Sequence, residues 1–395
     1  MLYCPNMKPI DLVLINMSNF TEWEHGVHNR NFHIWQELAK RHEFRKIICI
    51  DYPPLTWKRA ARNFKETIIT PLKSGKVIQR SLWQRTIQLS DRQFVYSDIS
   101  FHLDPQGYIK RLRQTLTKLG FETTVVWSFF PPIMPYLEPL KAEFTIFDAV
   151  DNWAEHSSYG FIKKRLQDNY QYIKKHSHVI FTVSEDLQKV FDNQPNVYWI
   201  PNGVDLKHYQ QPWRLVNRDI ADLPRPIIGY IGVIQKRVDL PLIKYLAEKN
   251  PDKSFVLCGP VWYAEDSKEL QALPNIHFLG YKEYSESPMY IQQFDIGLIP
   301  HKQDEFIAST NPMKMYEYLA CGKPVVATAG SGAEMFHDQI YIADSYEAFH
   351  DQLQLAIADI GDETKAQAKK TLMERYSWIK TVDAMVDIVE KKINA

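Results

Sequence analysis

The chain has 395 residues, with 47 basic and 47 acidic side chains, 45% hydrophobic residues and 13% aromatics. That length exceeds one ordinary core and suits two domains of roughly 150–200 residues each. The composition excludes wholesale disorder and low-complexity or collagen-like classes, and the zero net charge argues against a general nucleic-acid binder.

No run of about 18 uninterrupted apolar residues occurs, so a membrane-crossing helix is not expected. The most apolar stretch, Val125 to Leu137, is broken by Pro131, Pro132 and Pro135. The N-terminus lacks a basic segment leading into an apolar one, so export is not expected either. Cys4, Cys49, Cys258 and Cys321 are scattered without CxxC spacing, which fits a reducing compartment better than a disulfide frame or zinc site. A cytoplasmic two-domain protein is the expectation.

A strand-then-helix rhythm begins at once. Asp11–Met17 reads as a short apolar strand, and Asn31–Arg41 carries Phe32, Ile34, Trp35 and Leu38 at helical spacing. Between them lies a long polar loop, Ser18–Arg30, with His25, Gly26, His28 and Arg30. Its Arg30 and the two histidines are candidates for an acceptor or phosphate contact. Two histidines three apart with Glu22 and Glu24 nearby lack a third clear ligand, so a metal is not expected there. Ile47–Ile50 is the next strand, followed by the turn signal Tyr52-Pro53-Pro54.

Residues 52–85 depart from the neutral average. Eight basic residues (Lys58, Arg59, Arg62, Lys65, Lys73, Lys76, Arg80, Arg85) stand against one acid, Glu66, and are interleaved with Trp57, Phe64, Leu72, Ile78, Leu82 and Trp83. Two readings stay open: an anionic membrane surface, where lysines meet head groups and tryptophans the interface, or a solvated, loop-rich face.

The rhythm resumes with a helix near Gln106–Leu119, strands at Thr123–Trp127 and Phe144–Phe147, a helix about Phe161–Lys175 and a strand at His178–Val183. Continuous apolar strands alternating with helices predict a parallel sheet covered on both faces. Tyr198–Asp205 then leads into a polar, helix-poor stretch through Pro212 and Pro224, the candidate linker. A second series restarts with strands at Ile227–Ile231, Ser254–Cys258, Ile276–Leu279, Ile296–Ile299 and Pro324–Ala327, and helices near Leu240–Glu248 and Pro312–Ala320. Glu374–Ala395 reads as a terminal helix with an apolar face of Val382, Met385, Val386, Val389 and Ile393. The expected division is 1–207, 208–378 and a terminal helix 379–395. Ligands of open α/β sheets lie beyond the carboxyl ends of the strands, so the expected site is a cleft faced by two Rossmann-like α/β/α domains.

The most informative segment is Ser309–Thr328, STNPMKMYEYLACGKPVVAT. Pro312 suits a helix start, where free amides and the positive end of the dipole form an anion site. Lys314 adds a full charge for a phosphate, and Glu317, one turn on, suits the vicinal hydroxyls of a ribose. Gly322 suits a left-handed helix end. Lys314 and Glu317 taken only as charges would equally be a solvated i,i+3 pair.

This segment resembles the donor-binding motif of GT-B glycosyltransferases, of the form P-x-K-x-x-E-Y-x-A-x-G-x-P-V-V-A. Ile200–Asp205 (IPNGVD) resembles the segment joining the two domains in that superfamily, in its family-4 type especially. Ile227–Gly232 (IIGYIG) is similar to the first strand and glycine turn beside the donor diphosphate; Val256–Pro260 (VLCGP) and Ile276–Lys282 (IHFLGYK) are similar to the strands whose ends hold the base. Many retaining members have glutamate where this chain has Ser309. The likeness is closer to the teichuronic-acid-type and exopolysaccharide glucuronosyltransferase group.

The resemblance implies a GT-B fold with the terminal helix crossing back to the N-terminal domain. It implies a transferase moving a sugar from a nucleotide diphosphate, UDP by group, to a hydroxyl of a glycan or lipid-linked acceptor in surface polysaccharide biosynthesis. Gly232, Gly259, Tyr281, Lys282, Ser309, Thr310, Asn311, Pro312, Met313, Lys314 and Glu317 would hold the donor, the base resting on the backbone of Tyr281-Lys282. In Phe147–Trp153 (FDAVDNW), Asp151 matches the position of the catalytic aspartate, with Asp148 as a neighbour able to tune or orient it; as aspartates either also suits a helix cap. No cofactor or essential metal is implied. Lipid-carried acceptors would bring the N-terminal domain to the inner face of a membrane. Two other readings remain: a GT-B sugar-nucleotide epimerase, or a non-catalytic sugar-nucleotide-binding partner subunit.

Overall fold

The computed structural model describes residues 10–213, 218–262, 267–330 and 332–394. Cys4 lies outside them. The chain divides into two compact units, one formed by Met1–Ile200 with Val382–Ala395, the other by Pro201–Thr381.

The first unit is built on β1 (Ile10–Ile15), β2 (Phe44–Ile50), β3 (Lys76–Arg80), β4 (Gln84–Gln88), β5 (Gln93–Asp98), β6 (Thr124–Ser128), β7 (Phe144–Ala149), β8 (Val179–Thr182) and β9 (Val197–Trp199). They form one sheet in the order β3-β4-β5-β2-β1-β6-β7-β8-β9. From β5 to β9 every neighbouring pair is parallel, whereas β3 and β4 form an antiparallel edge. All six residues of β1 are buried, as its central place requires. Cys49, Cys258 and Cys321 are free thiols inside the two units.

The basic segment is more ordered than a loop-rich face. It forms a helix over Trp57–Asn63, capped by Thr56, then a wider turn over Phe64–Ile69 and the β3–β4 hairpin. Arg85 is 2% exposed and donates to the Thr70 carbonyl at 2.6 Å, and Arg59 is half-buried against Glu22. Two of the eight expected surface cations are therefore internal. The other six, Lys58, Arg62, Lys65, Lys73, Lys76 and Arg80, are exposed.

The second unit carries β10 (Ile227–Ile231), β11 (Ser254–Cys258), β12 (Ile276–Gly280), β13 (Ile296–Ile299), β14 (Val325–Thr328) and β15 (Tyr341–Ala343), all parallel, in the order β12-β11-β10-β13-β14-β15. The order reverses direction at β10, so the crevice outside the ends of β10 and β13 is its topological switch point. The expected linker stretch is part of this unit. Leu206–Gln210 is helical, and Tyr209 and Ile220 are buried. Val204 pairs with the chain end of the unit, accepting from Trp378 N and donating to the Tyr376 carbonyl. Apolar anchors at 204, 209 and 220 explain why a polar stretch packs as part of a domain.

The last helix, Trp378–Ile393, begins in the second unit and contributes Val382 onward to the first. There Val386, Val389 and Ile393 line a small apolar space with Leu12, Val125, Trp127 and Ile146. No helix among the described residues is long and apolar enough to cross a membrane.

Candidate functional site

In the second unit, the chain leaves β10 through Gly232, at φ +133°, and leaves β11 through Gly259, at φ +146°. A Cβ on Gly259 would stand 2.0 Å from the Gly232 carbonyl oxygen, so glycine is required for the two strand ends to approach. A Cβ on Gly232 would lie 3.4 Å from Lys314 Cε and 3.6 Å from its Nζ. The bare Gly232 turn and the Lys314 ammonium are thus direct neighbours at the switch point.

Lys314 sits in the first turn of the helix Met313–Ala320 and is 9% exposed. Pro312 occupies the N-cap with extended dihedrals (φ −71°, ψ 120°), one position before the expected helix start; its fixed φ suits that place as well. The lysine Nζ lies 5.0 Å over the Tyr230 ring, whose hydroxyl donates to the Val233 carbonyl. Burial, aided by the positive charge of Arg237, pushes the Lys314 ammonium down to about 7. Glu317, on the next turn, is half-buried; desolvation pushes its carboxyl up to about 7 against a hydrogen bond from Tyr209 and the charge of Lys314. Both groups are therefore poised to change charge when a polar ligand arrives.

Other expected donor residues are partly spoken for. Ser309 Oγ donates to Phe306 O at 2.7 Å and Thr310 Oγ1 to Ile307 O at 2.8 Å. Asn311 acts as an internal strut: its Oδ1 accepts from Asn202 N at 2.9 Å and from the Tyr316 hydroxyl at 2.8 Å. Its oxygen thus fixes Asn202, while its Nδ2 donates to Met335 Sδ at 3.4 Å. Lys282 pairs with Asp219 at 2.8 Å, and Tyr281 is an exposed ring. Met313 is half-buried at the helix start. Gly322 takes φ +74° after the helix, as its left-handed role requires.

Two residues were not legible as site members. Arg237 follows the glycine turn of β10, and His301 follows β13 by two residues; Val238 and His301 are bridged through their backbones. The charge of Arg237 acts on both His301 and Lys314, and that of Lys314 acts on His301. Position after a strand end at the switch point is the signal that would have found them.

In the first unit, Asp148 belongs to β7, is fully buried, and accepts from Arg30 Nε at 3.0 Å. Burial pushes the Asp148 carboxyl up and Arg30 pulls it back. Asp151 lies just past the strand and is half-buried; its carbonyl accepts from Tyr170 Oη at 3.4 Å, while that oxygen accepts from Trp153 N at 2.9 Å. Neither aspartate caps a helix: the next helical turn starts at Ser157 and is capped by the His156 side chain. The structure thus brings Arg30 to Asp148, two residues given separate tasks by the sequence. His25 and His28 serve the local loop. His25 Nδ1 is 2.6 Å from Thr21 O, and His28 stacks on Phe32 with centroids 3.9 Å apart. Among the described residues no group of three or more His, Cys, Asp or Glu side chains is gathered for a metal.

Residues 225–359 match the model of the glycosyl transferases group 1 family. The chain is 28% identical over 278 residues (65% of its length and 69% of the relative's) to TuaH of Bacillus subtilis (strain 168), assigned by name as a glycosyltransferase of teichuronic acid biosynthesis. Sucrose-phosphate synthase from Thermosynechococcus elongatus superposes with a TM-score of 0.74 at 14% identity, covering 97% of this chain and 99% of that one. Anabaena HepE, solved in complex with UDP, superposes with a TM-score of 0.66 at 13% identity, covering 97% and 100%. At these identities the two structures speak for the fold, which is GT-B. The group 1 domain and the curated relative make the activity that of a glycosyltransferase.

Proposed function

We propose that this GT-B glycosyltransferase moves a sugar from a UDP-linked donor to a hydroxyl of a glycan or lipid-linked acceptor in surface polysaccharide biosynthesis. The carrying observation is the buried Lys314 at the switch point, with the half-buried Arg237 adding its charge, set against the bare Gly232 turn. Such charge neutralises a leaving diphosphate as the glycosidic C–O bond breaks, which is where developing charge must be met. Glu317 holds the ribose hydroxyls, and the backbone at Tyr281-Lys282 receives the base. UDP is favoured by the HepE complex, and the polysaccharide context by the name of the Bacillus relative.

In this reading Asp151 takes the proton from the acceptor hydroxyl as its oxygen attacks the sugar carbon. Asp148 is a positioning residue, since Arg30 already occupies it. The protein works at the inner face of a membrane, with the exposed cations of 58–80 and the exposed Trp57, Leu82 and Trp83 meeting an anionic surface.

Incubation with a panel of labelled nucleotide sugars tests the donor. Transfer or slow hydrolysis of a UDP-sugar, lost in Lys314→Ala, is the expected result. Isomerised sugar nucleotide would point to an epimerase, and binding without turnover to a partner subunit.

A further inference from the structure

His301 is 2% exposed, and neither of its ring nitrogens has a hydrogen-bond partner. Its backbone is tied on both sides. Lys302 N donates to Arg237 O at 2.9 Å, Asp239 N donates to Pro300 O at 2.8 Å, and Val238 bridges His301 itself. The backbone of His301 is thereby fixed beside the Arg237–Asp239 segment at the end of β13, where the charges of Lys314 and Arg237 reach the ring. Arg237 Nε is also buried without a partner.

A buried imidazole left unsatisfied is costly, and native chains seldom leave one without a reason. Beside two cations the ring stays neutral, which gives it one N–H to donate. Three neighbouring side chains thus offer donors. An acceptor-rich anion satisfies them best, and a phosphate group, with several charged oxygens, fits that description better than a base or a neutral sugar.

We propose that His301 is a third diphosphate-binding group of the donor site, giving its ring N–H to a phosphate oxygen beside Lys314 and Arg237. The inference rests on the donor reading above and adds one residue to it. It also assigns that residue to the phosphates in particular.

Calorimetry with UDP, GDP and ADP, and with the matching nucleosides, tests it on the full chain. His301→Phe keeps a ring and removes the N–H. It should lower affinity for the bound nucleoside diphosphate about tenfold or more, the worth of a hydrogen bond to a charged group. The nucleoside should bind within about twofold of wild type, and the ligand-free variant should melt no lower than wild type, because an unsatisfied polar group has gone. Either His301→Asn or His301→Gln, each with an N–H at one of the two ring positions, should recover part of the loss. If His301→Phe fails to fold, this pair carries the test: at least one must bind the diphosphate more tightly than His301→Ala. Diphosphate affinity unchanged, or diphosphate and nucleoside affinities falling together, overturns the role of His301 while the donor reading stands. A wild-type chain that binds no nucleoside diphosphate overturns both.

Discussion

Arg30 Nε lies 3.0 Å from Asp148 Oδ1, and the two side chains are 1% and 0% exposed. The arginine opens the helix Arg30–Ala39, and the aspartate is the last residue but one of β7, so the ion pair ties the start of that helix to the strand end near Asp151. Removing one partner of a sealed pair leaves the other charge without compensation, which costs about 3–5 kcal/mol. Arg30→Leu and Asp148→Leu should each lower the stability of the first unit by that order in urea denaturation. The double variant should recover much of the loss, because an apolar pair replaces an ionic one at little cost. Single variants within about 1 kcal/mol of wild type would mean that the pair is no strut.

The same pair separates the two aspartates by experiment. Asp151→Asn should lower kcat by about 10²–10⁴, the usual worth of a general base, with donor affinity and melting temperature unchanged. Asp148→Asn should show its effect first in melting. If Asp151→Asn turns over normally, the proton goes elsewhere.

Much of the fold was legible because the second unit obeys simple rules. Ile227–Ile231, Ser254–Cys258 and Ile296–Ile299 are short apolar runs bounded by turn residues, and the structure keeps those bounds. The first unit hides more. Gln93–Asp98 (QFVYSD), parallel to β2 and antiparallel to β4, mixes polar ends with an apolar centre, and Gln84–Gln88 owes its burial to its neighbours in the sheet. The helices Tyr346–Ala358 and Glu363–Met373 went unread because much of their surface is exposed and weakly patterned.

The candidate site divides in the same way. Lys314 and Glu317 share one helix, so their spacing is visible in the sequence. Arg237 and His301 follow different strands and meet only because β10 and β13 are neighbours in the sheet. Arg30 and Asp148 are separated by 118 positions, and no local pattern announces their contact.

Donor affinity should pass through a maximum near neutral pH. The Lys314 ammonium, pushed down to about 7, must be charged to meet a diphosphate; above that pH, binding takes up a proton and weakens as pH rises. The Glu317 carboxyl, pushed up to about 7, must be ionised to accept ribose hydroxyls; below that pH, binding releases a proton and weakens as pH falls. Each limb approaches about tenfold per pH unit until the bound-state value is crossed. Calorimetry of UDP in buffers of different ionisation enthalpy should find proton uptake at pH 8 and release at pH 6. Lys314→Met should abolish the alkaline limb alone. A flat profile from pH 6 to 8 would remove both groups from the ligand.

The last prediction concerns the exposed hairpin and helix of the first unit. Trp57 and Leu82 are each 67% exposed and Trp83 is 40% exposed, beside the six solvent-facing cations. Glu66, the acid of this segment, is already engaged by Arg62 Nε at 2.6 Å, and Lys73 Nζ donates to the Glu24 carbonyl at 2.8 Å, whereas Lys58, Lys65 and Lys76 are exposed to solvent. Each cation near an anionic bilayer contributes about 1 kcal/mol, and the interfacial tryptophans add apolar contact. The chain should therefore sediment with vesicles rich in anionic lipid at low salt and leave them as the Debye length shrinks. Changing Lys58, Lys65, Lys73 and Lys76 to glutamate should abolish sedimentation while UDP binding survives. Arg59 and Arg85 are left in place because each is engaged inside the unit, and replacing them would mix unfolding with lost attraction. Equal recovery in the supernatant with and without anionic lipid would mean a soluble acceptor, and the cations would then be an ordinary solvated surface.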